Sequence, residues 1–223
     1  TNAVKKGKKY IINGQKVWTS RAEHSDLIML LVKTNKNNSE NKNKLSLFLL
    51  DMRPHIGKEI TIKPIRTMIN HSTTEIFFDN LEVDESSIIG EEGRGFNYIL
   101  DGLNAERLLI ASECIGDAKY FIDKSIQYGN QRKIFGRPIG KNQGIQFPIA
   151  KAYSRTFAAE LTLIKGCELF NERQNCGKEA NMAKLLAAEA SWEAAEATMQ
   201  VFGGFSFAEE YDIERKFRET RLY

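Results

Sequence analysis

The sequence predicts an α+β protein: a small β-barrel or sandwich domain over residues 1–90, then an antiparallel, four-helix-bundle-like α domain over residues 91–223. Before residue 90, short strand-like runs recur at regular spacing between turn residues, as in small barrels and sandwiches. After Gly90-Glu91-Glu92-Gly93, apolar residues recur at three- and four-residue steps over long stretches. The connections between these stretches are short, which makes neighbouring helices antiparallel.

The first two strands are Tyr10-Ile11-Ile12 and Lys16-Val17-Trp18, flanking Asn13-Gly14, a dipeptide that predicts a two-residue hairpin turn. Asp26 to Val32 and Leu45 to Leu50 read as strands, and Glu59 to Ile65 and Thr74 to Val83 follow. The stretch NKNNSENKNK, residues 35–44, is too polar and repetitive to pack and reads as an exposed, disordered hairpin loop. Gly95 to Tyr128 carries one long helical pattern, broken by Gly129 to Pro138. Gln143 to Glu172 forms a second helix and the alanine-rich Glu179 to Phe202 a third, which Gly203-Gly204 ends. Asp212 is placed to cap a last amphipathic piece reaching Arg221.

Composition narrows the class of function. With 223 residues, 42% hydrophobic and 27% charged, the chain can bury a proper core. A net charge of +3 favours anionic ligands but falls far short of the basic stripe of a nucleic-acid binder. The run Lys5, Lys6, Lys8 and Lys9 reads as a solvated end. Cys114, Cys167 and Cys176 lack metal-ligand spacing; the first two lie in helical patterns as small buried residues, in keeping with reducing surroundings. His24, His55 and His71 are far apart, so no metal site is expected. No apolar run approaches membrane-spanning length.

Four stretches are candidates for chemistry. Ile99, Leu103, Glu106, Ile110 and Cys114 form a helical stripe that places the Glu106 carboxylate on or close to the buried face. There it is either a structural ion pair with Arg107 or a functional acid. In QRKIFGRPIGKNQGIQF, residues 131–147, Arg132, Lys133, Arg137 and Lys141 surround glycines. That segment either holds a pyrophosphate or is a basic turn at a helix C-terminus. Gln200-Val201-Phe202-Gly203-Gly204 is a helix C-cap by composition. Trp18, in Trp18-Thr19-Ser20, is either a core residue or a stacking surface for a cofactor.

Taken in order, these segments resemble the acyl-CoA dehydrogenase family over nearly the whole chain. GQKVWTSRAEHSD and TTEIFFDNLEVDESSIIGEEGRGF resemble its middle β domain. NAERLLIASECIGDA, QRKIFGRPIGKNQGIQFPIA and QVFGGFSFAEEYDIERKFRETRLY resemble its C-terminal helical domain. The resemblance implies FAD-dependent α,β-dehydrogenation of an acyl-CoA to the trans-2-enoyl-CoA, as in fatty acid β-oxidation, with electrons passed to an electron-transfer flavoprotein. Glu106 stands where one branch of the family carries its catalytic glutamate, and burial would raise its pKa towards working pH. Trp18 would lie against the flavin ring and Ser20 would bond its hydride-accepting nitrogen. Arg132 and Phe135 would hold the diphosphate and adenosine end, with Gln143 nearby. Gln200, Gly203 and Gly204 would contact the same FAD across a subunit boundary. Arg107 and Asn104 would orient the thioester.

The resemblance further implies a homodimer or homotetramer, in a mitochondrial matrix or a bacterial cytoplasm. It leads us to expect a fragment, with a helical domain before Thr1 and weak or no FAD binding by residues 1–223 alone. The family's other branch carries its glutamate a few residues past the motif that ends here as Arg221-Leu222-Tyr223, and Glu106 is favoured over it. The alternatives are an acyl-CoA oxidase or related flavoprotein using oxygen, and a non-catalytic scaffold that kept the fold.

Overall fold

Packing divides the chain into two compact units, Thr1–Gly102 and Leu103–Tyr223. The computed structural model describes residues 1–34, 44–69 and 71–223, so the predicted polar loop falls, apart from Lys44, outside the described residues.

The first unit is one six-stranded sheet built from β1 (Asn2–Lys6), β2 (Lys9–Ser20), β3 (Leu27–Thr34), β4 (Lys44–Asp51), β5 (Ile60–Ile65) and β6 (Thr73–Asp84). The strand order is β4-β3-β1-β2-β6-β5, with β1 and β3 parallel and the other neighbours antiparallel. Alternate residues point into one core containing Tyr10, Ile12, Leu30, Val32, Phe48, Ile60 and Ile76. Tyr10 on β2 meets Phe48 on β4 edge to face, with ring centroids 5.2 Å apart. In a flat sheet those strands would stand three spacings apart, about 14 Å. The sheet therefore curls round its core, as the predicted small barrel requires.

The Asn13-Gly14 hairpin does not form. β2 runs straight through it, and the turn is instead Gly7-Lys8, which joins Lys6 to Lys9, with Gly7 at φ +63°. Asn13 and Gly14 are used at a β-bulge, where the Asn80 backbone N–H donates to Asn13 Oδ1 at 2.7 Å. The β unit also extends to Gly102, past the break read at residue 90. Gly95 lies so close to β4 that a Cβ there would stand 2.5 Å from the Leu47 nitrogen, and the Tyr98 ring covers Gly90.

The second unit contains most of α1 (Gly95–Gln131), then α2 (Gln143–Asn171), α3 (Gly177–Phe202) and α4 (Ile213–Thr220). A short hairpin of β7 (Lys133–Ile134) and β8 (Arg137–Pro138) joins α1 to α2. Small residues on α3, including Ala180, Ala183, Ala187, Ala190, Ala194 and Ala195, let the helices pack closely. A Cβ on Gly166 of α2 would stand 2.7 Å from Leu108 Cδ2 of α1. Gly203, at φ +59°, ends α3 as expected. Asp212 precedes α4 but makes no side-chain cap; it sits at φ +57° and accepts from Arg215 Nε at 3.3 Å. Among the described residues, no helix is long and apolar enough to cross a membrane.

Candidate active site

At the end of β2 the ladder with β6 slips: Lys16 pairs with Ile76 and Thr19 with Thr74, so Val17 and Trp18 together face Glu75. Trp18 takes φ +62° and is 67% exposed, which overturns its reading as a core residue. Folding alone does not favour that arrangement, since a large side chain in the left-handed region costs roughly 1–2 kcal/mol and an exposed indole recovers little. Thr74 Oγ1 donates to the Thr19 carbonyl at 2.8 Å and fixes the strand beyond the bulge. Ser20 is exposed, and its Oγ lies 3.0 Å from His71 Nε2. No sequence motif points to His71, because only the β2–β6 register carries it to Ser20.

In the helical unit, Arg132, Gln200, Gly203 and Gly204 line one cavity of about 770 Å³, together with Tyr128, Phe202 and Phe205. Its wall is aromatic: Tyr128 stacks on Phe202 at 4.1 Å, and Tyr211 meets both rings edge-on. The Arg132 guanidinium lies 5.9 Å from the Phe205 ring centroid and has no carboxylate partner among the described residues. Open space stands where Cβ atoms on Gly203 and Gly204 would be, so bare backbone is within reach of a ligand. Phe135 and Gly136 form the two-residue turn between β7 and β8, both at positive φ. Phe135 is 100% exposed at that tip. Gln143 is exposed at the start of α2 and outside the cavity lining, which reaches α2 at Ile145. An unpaired cation, open glycine backbone and stacked rings suit a flat-ringed anionic ligand.

Glu106 is exposed, against the expectation that its own helix buries it. The buried apolar residues of α1 are Leu108, Ala111, Cys114, Ile115, Ala118, Phe121 and Ile122. At 3.6 residues per turn, Glu106 lies roughly 130° from their centre. Nor does Glu106 pair with Arg107: among the described residues it has no ion-pair partner, and Arg107 Nη1 donates to Asn104 Oδ1 at 3.1 Å. Arg107 lines a second cavity, of about 330 Å³, with Lys184, Trp192, Arg221 and Tyr223. Burial, aided by the nearby acids Asp117 and Glu113, pushes the Tyr223 hydroxyl up to about 12.

The family description "Acyl-CoA dehydrogenase, middle domain" matches residues 1–81, and "Acyl-CoA dehydrogenase, C-terminal domain" matches residues 93–223. The chain belongs to the acyl-CoA dehydrogenase family, whose members are FAD-dependent oxidoreductases. It is 33% identical over 225 residues to an acyl-CoA dehydrogenase of Bacillus subtilis (strain 168), covering 100% of this chain and 58% of that protein. It is 31% identical over 226 residues to a subunit of the caffeyl-CoA reductase–Etf complex of Acetobacterium woodii, covering 100% and 58%. A solved glutaryl-coenzyme A dehydrogenase in complex with glutaryl-CoA superposes with a TM-score of 0.90 at 30% identity, over 100% of this chain and 56% of that one. The chain thus spans a little over half the length of these relatives.

Proposed function

We propose that the full-length protein dehydrogenates an acyl-CoA thioester to the trans-2-enoyl-CoA with bound FAD. The observation that carries this reading is the cavity lined by Arg132, Gln200, Gly203 and Gly204, because the resemblance assigns both segments to one FAD. Both segments line it within one chain. Arg132 would neutralise the diphosphate, the glycine backbone would approach it closely, and Phe135 would cover the adenosine. Trp18 would cover the flavin and Ser20 would bond the nitrogen that accepts hydride. Bound FAD supplies the two-electron acceptor.

Glu106 would take the α-proton as a carboxylate while the β-hydrogen leaves as hydride. The thioester thus loses one proton and one hydride, and a C=C bond forms. The chain does not bury Glu106 in its own core, so its desolvation would come from cofactor and thioester seated over that face. Arg107, whose Nη1 donates to Asn104 Oδ1, would orient the thioester carbonyl. Electrons would leave to an electron-transfer flavoprotein, and the assembled enzyme would be a dimer or tetramer.

The relationship to a caffeyl-CoA reductase subunit favours one second reading, the same residues working in the reducing direction. The test is to supply the full-length, FAD-loaded protein with saturated thioesters of graded length and then with the matching enoyl thioesters. Enoyl product with slow reoxidation in air supports the dehydrogenase. Turnover only with enoyl thioesters supports the reductase, fast reoxidation in air an oxidase, and no flavin binding refutes all three.

A further inference from the structure

Ser20 has a partner that the role above leaves unused. His71 Nε2 lies 3.0 Å from Ser20 Oγ although 51 residues separate them. The backbone around both is fixed: Ser20 pairs with Thr73 in the β2–β6 ladder, and the Arg21 N–H donates to the Ser72 carbonyl at 2.9 Å. Both side chains are exposed, so water could serve either group and the contact adds little to stability. The same strand end carries the strained, exposed Trp18.

We propose that His71 is a positioning residue that directs the Ser20 hydroxyl hydrogen, and thereby sets the relative affinity of the site for reduced and oxidised FAD. This rests on the role proposed above for Ser20. A serine hydroxyl has one hydrogen and two lone pairs. Before hydride transfer, Ser20 must offer its hydrogen to a flavin nitrogen that carries a lone pair. After transfer that nitrogen carries a hydrogen, and Ser20 must offer a lone pair, so its own hydrogen needs another acceptor. A neutral imidazole serves both states. Protonated on Nε2, His71 donates to Ser20 Oγ and leaves the hydroxyl hydrogen free; protonated on Nδ1, it accepts that hydrogen through Nε2. With the cofactor seated over the strand end and water excluded there, losing His71 would harm the reduced state more, because a stranded donor is worse tolerated than an idle lone pair.

The test is a double-mutant cycle on the full-length, FAD-loaded protein, reading flavin midpoint potential and FAD affinity. His71→Leu is expected to bind reduced FAD about tenfold more weakly relative to oxidised FAD, lowering the potential by about 30 mV for a two-electron couple. His71→Gln, which keeps a donor and an acceptor, should stay within about threefold of the wild type. In a Ser20→Ala background His71→Leu should add nothing. An unchanged potential in His71→Leu with FAD still bound overturns the inference, as does an equal shift without the Ser20 hydroxyl. Should His71→Leu lose its melting transition, the ring ¹⁵N shifts of His71 in the wild type decide instead. A change of tautomer on flavin reduction supports the inference and an identical tautomer in both states overturns it. Absence of FAD binding by the wild type refutes the functional reading itself.

Discussion

Phe121 and Phe135 stand on either side of the end of α1 and are held in opposite ways. Phe121 is fully buried in the core shared with Ala194, Val201 and Ile213. Phe135 is fully exposed at a hairpin tip with φ +52°. The two tryptophans repeat the contrast. Trp192 packs against Phe217 at 4.7 Å and takes the Arg221 guanidinium on its face at 5.0 Å, whereas Trp18 is exposed at a bulge with positive φ. One aromatic in each unit thus breaks both the burial rule and the backbone rule. Such departures concentrate where a chain holds something other than itself. Both fall on residues that the family resemblance assigns to FAD. Glu106 carries no mark of this kind, being an exposed residue of a regular helix.

The contrast can be broken by exchanging the penalties. Phe121→Ala should cost about 3–5 kcal/mol of stability in urea unfolding, while Phe135→Ala should cost less than about 1 kcal/mol. A comparable loss at both positions would erase the distinction between packing and ligand-holding rings. Arg132→Ala should weaken FAD binding by about tenfold to a hundredfold in an equilibrium titration of the full-length protein, with an unchanged melting curve. Unaltered affinity would remove the cavity from the cofactor site. Phe135→Gly should stabilise the fold by about 1 kcal/mol and weaken FAD, because glycine suits the left-handed turn that phenylalanine strains. If the variant is both less stable and unaltered in FAD affinity, the ring serves the fold. The smallest effect concerns the interior. Burial pushes the Cys114 thiol up to about 11, so it stays protonated at pH 8 and becomes reactive only as the pH nears that value. Half-buried Cys167 should therefore react first with a thiol reagent, as read by mass spectrometry.

Strands β3 to β6 and the helices were legible to within three residues at each end, because their apolar periods are long and bounded by turn residues. What the sequence hid was phase and register. Asn13-Gly14 satisfies a hairpin turn and a bulge equally well, and the lysines around Gly7 disguised the real turn as a solvated end. The start of α1 is apolar almost all round, so a stripe through Glu106 could be drawn as readily as the one the fold buries through Leu108 and Ala111. The positive φ of Trp18, Phe135 and Asp212 follows from local ladder and turn geometry that composition does not encode. Arg132 and the Gln200–Gly204 turn were visible as motifs, but only the fold places them round one cavity. His71 beside Ser20 had no sequence signal at all.

Removal of the α-proton by Glu106, as proposed above, can be followed by anaerobic mixing of full-length, FAD-loaded protein with an accepted acyl-CoA. The wild type should bleach the flavin absorbance. Glu106→Gln should bind FAD as tightly and bleach about 10²–10⁴ times more slowly, the range of a lost general base. Bleaching by Glu106→Gln at the wild-type rate would exclude Glu106 as the base and move that role to another residue.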